Sequence, residues 1–400
     1  MLSRVDVVVV GGGVVGASIA FHLTRLGVPR VLLLERDELG AGGTGPSGAL
    51  VRTHYTNEPE ARVAAAALPW FEEWSDRVGG DCGFVRTGFA QLVTPGDADR
   101  LRSNVAMLRS AGVDTSVIGA AELAALSSGL DVAPDEIGAY EPRSGYADPL
   151  ATNRSLAAAA ERGGAEVHEH TAVRGLLREG HRVTGVETDA GTIHADTVVL
   201  ANGAWSMPLV QPLGIELSIA PVSAQVAFVS RPESLTGAAG HLTVIDRRTG
   251  IYCRPNGVAE TLVGISQSAR AISSPDEAAV ASGFPALALQ QLTETIPAFA
   301  GEKVLRAHAG PLDVTPDRCA LIGPADGYDG LVLAVGMSGS GFKKAPATGA
   351  CVAELIVEGK ARTAPIDAFA PGRFAEGSPI VSNDYVLGTS AGGAGPALVH

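Results

Sequence analysis

The chain is poor in lysine. Only Lys303, Lys343, Lys344 and Lys360 occur among 400 residues, within a total of 30 basic and 43 acidic side chains. The net charge of −13 argues against non-specific binding to nucleic acid or to an anionic membrane, because both need a basic surface. The scarcity also marks any lysine in an unusual place. Cysteine is equally sparse. Cys82, Cys253, Cys319 and Cys351 are scattered, with no CxxC and no Cys/His cluster. Such spacing offers no metal site and reads as reduced, buried thiols. No apolar run is long enough to span a membrane, and Met1-Leu2-Ser3-Arg4 leads straight into a strand pattern without a signal-peptide pattern. A soluble, cytoplasmic protein is the expectation. A hydrophobic fraction of 46% over this length allows two or three domains with sizeable cores.

Glycine, by contrast, is abundant at 50 residues, and the first of them carry a pattern. A Val-rich strand, Val5–Val10, runs into Gly11-Gly12-Gly13-Val14-Val15-Gly16. Val15, Ile19, Ala20, Leu23 and Leu26 then recur at helical spacing, and Gly27 is a C-cap candidate. A second strand, Val31–Leu34, ends at Glu35. Gly11 permits the tight turn, Gly13 lets the backbone approach a pyrophosphate, and Gly16 lets helix and strand pack closely. The helix N-terminus around Val14 and Val15 offers free N–H groups to phosphates, and Glu35 can accept from ribose hydroxyls. The unit predicts a bound dinucleotide without choosing between FAD and NAD. Residues 37–50, including Gly40-Ala41-Gly42-Gly43-Thr44-Gly45-Pro46-Ser47-Gly48-Ala49, are small enough for backbone to lie flat against such a cofactor.

Further along, residues 58–78, 97–111, 119–127, 152–162, 275–294 and 341–357 read as helices. Short strands are expected at 166–168, 172–177, 183–188, 192–194 and 197–201, then at 217–229, 241–246, 250–254, 260–265, 303–310 and 331–335. The middle set alternates as a half-exposed antiparallel sheet does. Parallel βαβ signals thus occur at the start, middle and end. The expected division is a discontinuous nucleotide-binding domain at 1–50, 145–215 and 305–375, a second domain at 51–144 and 216–304, and a loosely ordered tail at 376–400.

Four separated segments resemble one family. They are Gly11–Gly16 with Glu35; Val198-Val199-Leu200-Ala201-Asn202-Gly203-Ala204-Trp205-Ser206; Thr315-Pro316-Asp317 with Ile322-Gly323; and Gly336-Met337-Ser338-Gly339-Ser340-Gly341-Phe342-Lys343. In this order they resemble the FAD-dependent amine and amino-acid oxidases that include glycine oxidase, D-amino-acid oxidase and monomeric sarcosine oxidase. The resemblance selects FAD and implies an α/β fold, a Rossmann-type FAD-binding domain with an antiparallel-sheet substrate domain. It implies that Thr44, Ser47, Gly48 and Ala49 pass the pyrophosphate and flavin, that Val173 holds the adenine by its backbone, and that Ala201, Gly203 and Trp205 lie beside the cofactor. Arg36 would cover the adenosine, or else be a solvated arginine. The loop Gly339, Ser340, Gly341, Phe342 and Lys343 would face the flavin with N–H groups that stabilise developing negative charge.

For the substrate, the resemblance implies that Arg52 and Lys343 clamp a carboxylate and that Tyr252 lies over it. The competing readings are an interdomain salt bridge for Arg52, a solvent-facing lysine for Lys343 and a packed aromatic for Tyr252. A lysine in a helix's first turn opposes the dipole, which favours a functional reason. Arg254 is expected on the opposite face of its strand, and His54 and His308 as structural groups more than pocket ones. Two positions depart from the sarcosine oxidase pattern. Gly310 stands where those enzymes attach FAD to a cysteine, so non-covalent FAD is expected. Leu262 stands where they place an oxygen-activating lysine. The segment His308–Asp313 also lacks the arginine of glycine and D-amino-acid oxidases.

The expected activity is oxidation of a secondary or N-alkyl amino-acid-like amine, with oxygen reduced to hydrogen peroxide. The alternatives are a dehydrogenase passing electrons to a partner or carrier, a FAD-binding subunit without turnover, and a tailoring enzyme for a natural-product amine. Homo- or hetero-oligomer formation stays open.

Overall fold

A computed structural model describes residues 4–127, 129–235 and 240–386. Its first sheet is built around Arg4–Val10, which pairs in parallel with Val31–Leu34 on one side and Gly191–Leu200 on the other. Glu166–His168 extends it beyond Val31–Leu34, and Leu331–Val335 beyond Gly191–Leu200, again in parallel. Leu321–Pro324 closes the far edge in antiparallel. Parallel strands buried on both faces should be near-continuously apolar, and alternate residues of these strands enter two different cores. Val7, Val9 and Leu33 pack into one core with the helix Val14–Arg25 and the helix Gly341–Glu358. Val8, Val10 and Leu34 pack into another, with Val183, Val186 and Ile193 of an antiparallel meander. The two helices cross closely: a Cβ at Gly349 would collide with Ser18.

The second sheet is mostly antiparallel. Ala220–Ser230 pairs with Glu260–Ile265, which pairs with Ile251–Asn256, then Thr243–Asp246. Phe89–Leu92, Ile137–Glu141 and Ser116–Gly119 continue it beyond Thr243–Asp246. Ala227, Val229, Ile251, Cys253 and Val263 face the helix Phe284–Thr295. The residues between them, Val226, Phe228, Tyr252 and Leu262, face the other way, with Tyr252 and Leu262 against Gly48.

Several expectations need correction. The helix expected from 275 starts at Phe284. Gly283 and Pro285 sit at its beginning, where proline's missing N–H costs nothing, and residues 275–277 form only a 3-10 turn. The helix over 58–78 ends at Glu72, and Trp74–Arg77 is a separate turn. The strands expected at 192–194 and 197–201 are one strand, Gly191–Leu200. The strand read at 303–310 extends to Val314 and pairs with Ala220–Ser230, so chain from 305 to 314 belongs to the second sheet rather than the first. The tail is corrected too. Residues 378–386 pack back on the body, with Asn383 N donating to Thr56 O at 2.8 Å and Val386 N to Asp97 Oδ2 at 2.7 Å; residues 387–400 lie outside the described residues. All four cysteines are free and buried. No described helix is long and apolar enough to cross a membrane, and no described group of three His, Cys, Asp or Glu residues could hold a metal ion.

Candidate active site

A cavity of about 450 Å³ is walled by both sheets. Two helix N-termini open onto it. The helix Val14–Arg25 begins at Gly13 and Gly341–Glu358 at Ser340, and neither N-cap residue caps its helix with its own side chain; neither helix has an acid in its first turn. Uncapped N–H groups at a positive dipole end favour negatively charged groups.

At the first of these ends, Gly11, Gly13, Val14 and Val15 line the wall. Gly11 has φ +109°, and a Cβ there would lie 2.7 Å from Ala201 O, so only glycine lets the turn pass the neighbouring strand. Gly16 is not on the wall. Its place is under the turn, where a Cβ would strike Gly11 O, so it acts through packing. Glu35 Oε2 accepts from Gly12 N at 2.6 Å and Oε1 from Asp37 N at 2.9 Å. These donors fix the carboxylate on the wall beside Val173. Arg36 also lines it, with its guanidinium 5.1 Å from the Trp205 ring centre and paired with Asp276 at 3.0 Å. Trp205 Nε1 donates to the same Asp276 oxygen at 3.1 Å.

Along the middle lie Thr44, Ser47, Gly48, Ala49, Ala201 and Gly203. Thr44 Oγ1 accepts from Val14 N at 3.0 Å. Ala49 has φ +49°, a left-handed conformation that costs a non-glycine residue roughly 1 kcal/mol or more. Gly310 also lines the cavity, and a Cβ there would lie 2.6 Å from Pro46.

The far end holds Gly339, Gly341, Phe342, Lys343, Tyr252 and Arg52. Ser340, expected here, turns away and donates to Met337 O at 2.7 Å. Tyr252 reaches the cavity because Gly264 stands opposite it; a Cβ at Gly264 would overlap its ring. Burial pushes the Tyr252 phenol up to about 12. Arg254 is corrected: it shares the face of Tyr252, as two-residue spacing on a strand requires, and its Nε donates to Gly48 O at 2.6 Å. It braces the Gly48 loop and is not on the cavity wall. His308 packs against the Phe228 ring at 5.2 Å.

Arg52 and Lys343 are only 4% and 6% exposed. The Arg52 guanidinium lies 4.7 Å from the Tyr55 ring centre and 5.7 Å from that of Phe89, and it donates to His54 O. Among the described residues no carboxylate pairs with Arg52 or Lys343. Burial, and then the charges of Arg52 and Lys344, hold the Lys343 ammonium well below the ordinary 10.5. Neighbouring Lys344 differs, being ion-paired with Glu60.

One wall residue was missed as a candidate. Asp313 is buried, its Oδ2 accepts from Gly336 N at 2.6 Å, and its backbone oxygen accepts from Ser338 N at 3.0 Å. It pins the turn, with Ser338 at φ +51°, that delivers Gly339 and Gly341. Burial raises its carboxyl to about 6. An acid two residues before the Thr315-Pro316-Asp317 motif was the available signal.

Two open helix N-termini, a buried glycine turn and a fixed acid on one elongated wall fit a flavin dinucleotide, and define a Rossmann-type nucleotide-binding enzyme scaffold. The comparisons name the family. The model of the DAO family, FAD dependent oxidoreductase, matches residues 6–355, and the chain belongs to that family; its cofactor is FAD. It is 30% identical to glycine oxidase of Pseudomonas aeruginosa over 88% of this chain and 94% of that protein. It is 29% identical to 4-methylaminobutanoate oxidase (formaldehyde-forming) of Paenarthrobacter nicotinovorans, over 89% of this chain. The chain spans only 44% of that relative's length. Among solved structures, L-proline dehydrogenase from P. horikoshii superposes with a TM-score of 0.88 at 28% identity, covering 95% of this chain and 100% of that one.

Proposed function

We propose that this chain binds FAD non-covalently and oxidises a small amine bearing a carboxylate, such as a secondary or N-alkyl amino acid. The observation that carries the reading is the pair of buried cations, Arg52 and Lys343, on one cavity wall without a carboxylate of their own. A buried charge is costly unless paired, and a substrate carboxylate would complete it. Arg52 offers a planar fork that fixes orientation, Lys343 a point charge. Both would also lower the pKa of a bound ammonium and favour the neutral amine. When bound, FAD supplies the acceptor for a hydride from the C–H beside nitrogen. The resulting imine hydrolyses to a carbonyl compound and an amine. Tyr252 stands on the sheet face that lines that end of the cavity. Non-covalent attachment is supported by Gly310 packing against Pro46, which leaves no room for a side chain there.

Anaerobic mixing of the yellow protein with N-methyl, cyclic and D-amino acids tests the reading: bleaching of the flavin absorbance identifies substrates, and no bleaching with any carboxylate-bearing amine sinks it. Oxygen as the acceptor, giving hydrogen peroxide, is the first reading for reoxidation. Leu262 favours a second. It lies in an apolar cluster with Val226, Phe228 and Tyr252 and puts no cation beside the site, which suits a dehydrogenase that hands electrons to a carrier. Peroxide release against turnover with an artificial acceptor separates the two.

A further inference from the structure

Arg52 borders two cavities. Its front faces the large one; behind it lies a small polar one bordered by His54, Arg247, Asp317, Ser382 and Tyr385. Two residues of this rear cavity's wall, Ser382 and Tyr385, belong to the segment 378–386, which lies against the body as a strap. It is fastened at several points. Ile380 N donates to Asp317 Oδ2 at 3.0 Å, Asn57 Nδ2 to Ser382 Oγ at 2.9 Å, and Thr56 Oγ1 to Asp384 Oδ1 at 2.5 Å. Tyr385 is buried, and its hydroxyl lies 2.7 Å from His54 Nε2 with the two rings stacked at 5.9 Å. The His54 carbonyl in turn accepts from Arg52 Nη1.

We infer that Tyr385 and His54 are positioning residues: through the His54 backbone they hold the Arg52 guanidinium aimed into the large cavity, and so set the affinity for the substrate carboxylate. The inference rests on the reading of Arg52 as a carboxylate-binding group. An arginine side chain has many rotamers, and its fork is selective only when its direction is fixed. One side of the segment is already held, since Thr53 N donates to Glu141 Oε2 at 2.9 Å. The strap holds the other side. His54 acts by position and not by charge. Burial, with Arg52 and Arg247 nearby, keeps it neutral by lowering its pKa to about 3.

Tyr385→Phe tests this, because it removes one hydroxyl and keeps the stacked ring. Binding of acetate, then benzoate, is read from the flavin absorbance of the FAD-loaded variant, and steady-state kinetics from the best amine of the bleaching screen. Loss of one buried hydrogen bond should raise the carboxylate Kd and the amine KM about three- to tenfold, with a much smaller change in kcat. His54→Gln, which keeps an amide within reach of the phenol, should fall between parent and Tyr385→Phe. Arg52→Ala is measured alongside. If Arg52→Ala weakens carboxylate binding while Tyr385→Phe leaves it unchanged, the positioning role is overturned and the carboxylate reading stands. If Arg52→Ala leaves binding unchanged, both fall. A Tyr385→Phe protein that loses flavin, or whose kcat and KM fail together, would assign the contact to general stability and overturn the inference as well.

Discussion

Lys344 donates its ammonium to the Glu60 carboxylate in the protein interior, with side-chain exposures of 2% and 4%. This pair joins the last helix to the helix Glu58–Glu72, one residue beyond the cation that faces the cavity. Two adjacent buried lysines therefore have opposite circumstances: one neutralised by the protein, one left for a ligand. Removing one partner strands a buried charge. Lys344→Met should destabilise the flavin-loaded protein by about 3–5 kcal/mol, while the double change Lys344→Met with Glu60→Leu should recover much of that loss. Urea unfolding of the two variants measures it.

Arg52→Ala and Lys343→Met should each weaken binding of a small carboxylate about ten- to a hundredfold, the range for a charge-assisted hydrogen bond. Flavin content should stay near that of the parent, because neither side chain is needed at the Gly11–Gly16 end. Absorbance titration with acetate checks both statements. Equal binding by all three proteins would contradict the clamp.

Lys343 also gives carboxylate binding a pH dependence. Its ammonium form binds the anion, and its pKa lies well below 10.5. Affinity should therefore fall as pH rises through a range more acidic than an ordinary lysine's. The bound anion opposes this by favouring the charged form. In Lys343→Met the slope should vanish in that range, which a titration series at increasing pH would reveal.

Asp313 has the opposite sign from an ordinary paired carboxylate. Its folded-state value near 6 lies above the ordinary 3.8. The folded protein therefore holds the proton more tightly than the unfolded chain. Stability from this group is full below 3.8 and is lost as pH rises through about 6. The loss is about 3 kcal/mol at most. Asp313→Asn should flatten the curve over that window. Urea midpoints at several pH values, compared between parent and variant, decide it.

Gly16→Ala should cost flavin binding more than any change at the substrate end. The added methyl would strike Gly11 O, which is backbone and cannot move without opening the turn. The expected outcome is a folded protein depleted in FAD, read from the ratio of flavin to protein absorbance. Normal loading would show that the turn tolerates a side chain.

The dinucleotide unit was legible because its physics is local. A glycine turn, a helix start and an acid lie within one βαβ stretch, and each has one reason to be there. Arg52 was legible only through resemblance, since nothing near it in the chain says that it is buried, whereas Lys343 also stood out as a rare lysine opposing a helix dipole. Asp313 was overlooked because its importance comes from a turn 23 residues away. Arg254 was misplaced although strand alternation alone puts it beside Tyr252. The helix expected from 275 failed because Gly283 and Pro285 define a start that the apolar spacing does not show. The segment 376–386 looked like loose chain by composition. Its order comes from partners such as Asp317, Thr56 and Asp97, which sequence spacing cannot supply.

His54 and Tyr385 stand 331 residues apart in the chain. A nascent chain emerging from the ribosome exposes the Gly11–Gly16 turn and Arg52 before any residue of the strap that backs Arg52. A fragment ending before residue 378 would thus carry the dinucleotide turn but lack Ser382 and Tyr385 on the rear cavity's wall. In the folded protein a residue translated 331 positions after His54 backs the segment that holds Arg52.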